Sequence, residues 1–155
     1  MTRPNILWYC TDQQRFDTIR ALGNQFVRTP TIDTLVGAGV AFTHAYCQSP
    51  ICTPSRASLM TGMYPSRVHN TRNGNDTFPA EAPPLITKLI ADSGYECSLI
   101  GKFHLVSGGH RPEPRLEDGF TDWWHSHAPR DDWPEGTHDY ADWVRARGGD
   151  LNALR

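Results

Sequence analysis

A cysteine opens the segment Cys52-Thr53-Pro54-Ser55-Arg56, just ahead of a threonine–proline pair that signals a helix start. Unpaired backbone N–H groups and the dipole at such a start favour an anion. Arg56 lies one helical turn further on and can reach back to the same spot. A nucleophile beside a bound anion is the chemistry that this spacing suits. Lys102 and His104 follow a second apolar run, Cys97 to Ile100, and the turn residue Gly101. A lysine supplies fixed charge for an anionic transition state, and a histidine moves protons near neutral pH. Asp12 follows the apolar run Ile6 to Cys10. Singly, each has a plainer reading: a buried small cysteine, a solvated arginine, an exposed Lys-x-His loop, an aspartate capping a turn. Their meaning depends on whether the fold gathers them.

The elements that would position them read as follows. Residues 5–10, through the continuous apolar run Ile6 to Cys10, predict a buried first strand. Thr29-Pro30 opens a helix to about Val36, ended by Gly37 and Gly39, and Val40-Ala41-Phe42 suits a short strand. Thr53-Pro54 starts a second helix, Ser55 to about Thr61, closed by Gly62 and Pro65. A third runs from Pro84 to Ser93, with Leu85, Leu89 and Ile90 on one face. Cys97 to Ile100 is a second core strand. Strand, helix, helix, strand predicts an α/β fold with a mainly parallel sheet flanked by helices. Ligands in such folds sit beyond the carboxyl ends of the strands, so the topology brings Asp12 and Lys102 to one edge.

Residues 106–139 are rich in Pro, Gly, His, Trp and acidic side chains and read as a long surface loop, followed by a terminal helix over about 140–147. His110, His125, His127 and His138 match no zinc spacing, and Trp123, Trp124 and Trp133 read as aromatics that pack the loop. Two core strands are few for a sheet of this class, so residues 1–155 read as the N-terminal portion of a domain. Fifteen basic and seventeen acidic residues are well mixed, which argues against nucleic acid or an anionic membrane as partner. No window approaches the roughly eighteen apolar residues of a membrane span. The N-terminal apolar run lacks a cleavage site, and the four cysteines lack a metal spacing. A cytoplasmic setting is expected.

The run Cys52-Thr53-Pro54-Ser55-Arg56-Ala57-Ser58-Leu59-Met60-Thr61-Gly62 resembles the C-x-P-S-R-x-x-L-x-T-G motif of the formylglycine-dependent sulfatases at every fixed position. The resemblance extends through Thr29-Pro30 with Ile32-Asp33, Gly39 to Cys47, and Tyr64-Pro65-Ser66-Arg67. Gly101-Lys102-Phe103-His104-Leu105 resembles the family's G-K-W-H-L element, with Phe in place of Trp. Core motifs thus span residues 4–105. The implied fold is alkaline-phosphatase-like.

The same resemblance implies that a maturation enzyme oxidises Cys52 to formylglycine. One hydroxyl of the hydrated aldehyde attacks the sulfur of a sulfate ester, and the second expels the sulfate afterwards. Arg56 and His104 are then catalytic, with Lys102 and His104 binding the sulfate. Asp12 matches the first of the family's paired metal aspartates. Gln13 stands where the second is common, and its amide oxygen still suits a hard cation. Metal ligands are therefore Asp12, Gln13 and the modified Cys52, with Ca²⁺ the expected ion and Mg²⁺ or Mn²⁺ alternatives. The implied substrate is a sulfated small molecule or sugar. A phosphonate monoester or phosphodiester hydrolase of the same superfamily is the nearest alternative, and a non-catalytic relative the next.

Overall fold

The computed structural model describes residues 3–68, 71–73, 77–106, 113–128, 130 and 132–154, which fall into two compact units divided between Tyr46 and Cys47. In the first unit two short 3-10 turns, Phe16–Thr18 and Arg20–Leu22, precede helix α1, Pro30–Ala38. The Thr29-Pro30…Asp33 pattern has a plain structural purpose. Thr29 Oγ1 accepts the Arg20 amide at 2.9 Å and donates to Asp33 Oδ1 at 2.8 Å, and that carboxylate also accepts the Ala21 amide at 2.9 Å. Pro30 takes the first helical position, where its missing N–H costs nothing.

The expected strand over residues 5–10 is not formed, nor is the one over Val40 to Phe42. Leu7, Tyr9, Val40 and Phe42 are all largely exposed. An apolar run specifies burial, whereas a strand also needs a neighbour to complete its ladder of backbone hydrogen bonds. No residue of the first unit supplies one among those described.

The second unit holds helix α2 (Cys52–Thr61), helix α3 (Ile86–Asp92), strand β1 (Cys97–Gly101), strand β2 (Phe120–His125) and helix α4 (Asp139–Ala146). β1 and β2 pair in parallel, with Leu99 beside Trp123 and Gly101 beside His125. This is the α/β class with parallel strands that the element order predicts. β2 corrects the reading of residues 106–139 as loop: an aromatic and β-branched run, Phe120-Thr121-Asp122-Trp123-Trp124, prefers a pleated surface. The register shifts at Cys97/Ser98, and there Thr121 Oγ1 donates to the Cys97 carbonyl at 3.0 Å.

β1 is covered on one face only. Cys97 and Leu99 turn toward α3 and the core, while Ile100 is 83% exposed and pairs with exposed Trp124. The core gathers Ala57 of α2, Val68, Leu85, Phe103 and Leu105, with Leu99, Phe120 and Trp123 packed against it. Phe103, which follows β1, meets Phe120 and Trp123 edge-on at ring separations of 5.6 and 5.3 Å. Gly119 has φ +79°, and a Cβ there would stand 2.7 Å from Lys88 Cα, so only glycine admits β2 beneath α3.

Candidate active site

α2 begins at Cys52, three residues earlier than the threonine–proline pair suggests, with Ile51 as its extended N-cap. Pro54 is tolerated at the third helical position because first-turn N–H groups have no intrahelical acceptor. The expected cradle of free amides is correspondingly reduced. The Thr53 amide donates to Asn73 Oδ1 at 3.0 Å, Pro54 has no N–H, and the Ser55 amide reaches the Ile51 carbonyl at 3.1 Å. At this spot positive charge comes chiefly from the helix dipole and a side chain, Lys102.

Lys102 Nζ lies 3.6 Å from Cys52 Sγ. The Arg56 guanidinium donates through Nη1 to the Lys102 carbonyl at 2.6 Å and toward the Phe103 carbonyl at 3.5 Å. The first turn of α2 and the loop leaving β1 are thereby joined, with half-buried Cys52 at the junction. Its thiol is free, as are those of Cys10, Cys47 and Cys97.

His104 is buried and has φ +58°, a left-handed conformation that side chains rarely adopt. Among the described residues one other non-glycine residue has positive φ, Gln13, also at +58°. Backbone strain of this kind clusters where function demands a particular geometry. Both residues are site candidates from the sequence.

Around His104 stands a group of histidines that spacing alone leaves unassigned. The His127 ring meets the His104 ring edge-on at 4.3 Å. His127 Nδ1 accepts the Ala128 amide at 2.7 Å, which leaves the proton of the neutral ring on the buried Nε2. Burial, then the nearby His104 and Lys102, push the His127 pKa down to about 4. His125 stacks on Trp123, and its Nε2 lies 3.3 Å from Glu113 Oε2. His138 caps α4, its Nδ1 facing the Ala141 amide at 3.1 Å and its Nε2 the His127 amide at 2.8 Å. Burial first of all holds its pKa below the usual histidine value. The clue lies in the period: His125 ends β2 and His127 follows two residues later, the spacing that shares one face of an extended chain. His110 lies outside the described residues.

Asp12 and Gln13 belong to the first unit, where both are exposed, Asp12 at a bend after residues 5–10. Their oxygens suit a hard cation in kind. In number they are too few, since Ca²⁺ takes roughly six to eight oxygen ligands. Among the described residues no three His, Cys, Asp or Glu side chains converge so as to hold a metal ion.

The Sulfatase family model matches residues 4–142. Steryl-sulfatase from Homo sapiens is 41% identical over 118 residues, 70% of this chain and 20% of that protein. N-acetylgalactosamine-6-O-sulfatase from Bacteroides thetaiotaomicron is 38% identical over 109 residues, covering 68% of this chain and 21% of the relative. The crystal structure of yidJ from Bacteroides fragilis superposes with a TM-score of 0.56 at 34% identity, covering 66% of this chain and 24% of the other. The chain thus spans about a fifth to a quarter of the length of the relatives it matches. Family model, relatives and fold agree: the chain belongs to the sulfatase family.

Proposed function

We propose that this chain carries the nucleophile-bearing part of a sulfuric ester hydrolase, with Cys52, once converted to formylglycine, as the attacking group. The observation that carries the reading is the meeting of Lys102 Nζ with Cys52 Sγ at 3.6 Å, at the head of a helix that bears the whole sulfatase motif. A hydrated aldehyde at position 52 supplies one hydroxyl for attack and a second whose deprotonation releases the sulfate. Lys102 holds positive charge within reach of the anionic oxygens that develop there. Arg56 fixes the Lys102 carbonyl and so the direction of that lysine, while its own charge adds to the local field.

His104 is the proton carrier, held in a buried, strained turn beside neutral His127. Asp12 and Gln13 would contribute hard oxygens to a divalent cation, Ca²⁺ by preference, which would neutralise sulfate charge. The two named relatives differ in the alcohol they release, a sterol and an amino sugar, and share the sulfate ester. The substrate class proposed is accordingly a sulfated small molecule or sugar.

The test uses the protein expressed from its complete reading frame beside a formylglycine-generating enzyme. The matured protein is expected to release phenol from an aryl sulfate. Cys52→Ala should abolish release with the fold intact. Cys52→Ser should stall after one turnover with sulfate retained on the new hydroxyl, because a single hydroxyl cannot expel it. Sustained turnover by Cys52→Ser would contradict the proposal.

A further inference from the structure

Glu113 is a carboxylate with no exposed side-chain surface, yet nothing in the reaction proposed above uses it. Its Oε2 accepts the His104 amide at 2.6 Å. Its Oε1 accepts the amides of Leu105 at 2.5 Å and Val106 at 3.2 Å. Three successive backbone N–H groups aimed at one point form a concavity for an anion, and here the chain fills it with its own side chain. His125 Nε2, at the end of β2, lies 3.3 Å from the same carboxylate. Burial raises the carboxyl's pKa, but the contact with His125 and the three amides outweighs it and holds Glu113 below the usual range. The group therefore stays an acceptor for the three amides at neutral pH.

We propose that Glu113 is the positioning residue of the site, clamping the backbone of His104 to Val106 so that Lys102 presents its ammonium to Cys52 and His104 keeps its buried, left-handed turn against His127. The inference rests on the sulfatase reading. Its physical basis is the φ of +58° at His104, which the free chain would relax unless its neighbours over-determine it. Lys102, two residues before, points its ammonium at Cys52 Sγ and gives its carbonyl to Arg56. A turn held at both Arg56 and Glu113 has little freedom to rotate. Released from Glu113, it keeps its side chains and loses their aim. The effect should fall on the chemical step more than on substrate binding, because misplacement raises the barrier without removing the charges that attract the sulfate.

The experiment uses the matured protein from the complete reading frame, with Glu113→Gln and Glu113→Asp beside it. Steady-state hydrolysis of an aryl sulfate and amide hydrogen exchange resolved to residues 103–106 are measured on each. For Glu113→Gln, kcat should drop roughly tenfold or more with KM moving less than about threefold. Exchange at 104–106 should quicken while β2 and α3 keep their protection. Glu113→Asp, shorter but still anionic, should recover part of kcat, and it serves alone if the glutamine variant does not fold. Glutamine activity within about twofold of the parent would overturn the proposal. So would a loss that merely tracks uniformly raised exchange across the unit. An inert parent protein would mark failure of the sulfatase reading itself. Exchange then decides the clamp: unchanged protection at 104–106 refutes it, and selective loss there upholds it.

Discussion

Cys52 and Lys102 are fifty positions apart in sequence, yet Nζ and Sγ stand 3.6 Å apart. Cys52, Arg56, Lys102 and His104 were legible as site candidates through their motifs taken whole, each residue alone having a plainer reading. Glu113, His125 and His127 were not, since a carboxylate in a proline-rich stretch and a His-x-His pair look like solvated loop until β2 is known. These buried groups make an acid-side prediction. Free histidine titrates near 6.5, whereas folded His127 stays neutral to about 4. Between those values the unfolded chain binds more protons, so stability falls as pH is lowered through that window. Glu113, depressed below its ordinary 4.5, adds a further loss on still stronger acidification. Denaturant midpoints between pH 7.5 and 4.5 should therefore decline, and His127→Gln should flatten the decline. An equal slope in the variant would show that His127 does not carry it.

At the scale of elements, the local signals that held are those with a mechanism inside the segment. Thr29-Pro30 and Asp33 start α1 by bonding to the preceding turn, Gly62 ends α2 at φ +68°, and Gly94 follows α3 at φ +92°. Those that failed needed a distant partner: residues 5–10 and Val40 to Phe42 have strand composition without a ladder. β2 was missed for the converse reason, its aromatics being paired by β1 rather than announced by alternation. Its entry depends on Gly119, where positive φ and the 2.7 Å approach to Lys88 Cα coincide. Gly119→Ala should cost about 2–4 kcal/mol by adding backbone strain to a clash. Chemical denaturation measures it, and a loss under about 0.5 kcal/mol, typical of a plain surface change, would mean that the α3–β2 contact yields easily.

At the scale of the whole molecule, large apolar groups lie open in both units: Leu7 at 90%, Phe26 at 99% and Ile100 at 83%, with Trp124 beside Ile100. Exposed apolar pairs such as Ile100 and Trp124 promote association. No helix among the described residues is long and apolar enough to cross a membrane. Residues 1–155 expressed alone are expected to self-associate in sedimentation, bind Ca²⁺ weakly and release no phenol from an aryl sulfate, even with the aldehyde formed. Cation-dependent turnover that vanishes in Asp12→Ala would overturn that expectation. The proposed activity requires oxidation of the Cys52 thiol to an aldehyde, and the mass of the peptide bearing that residue reads this directly. In protein from the complete reading frame, matured in cells and active on a sulfate ester, the peptide should carry an aldehyde in place of the thiol. An intact cysteine at position 52 in a preparation that turns over the ester would contradict the account.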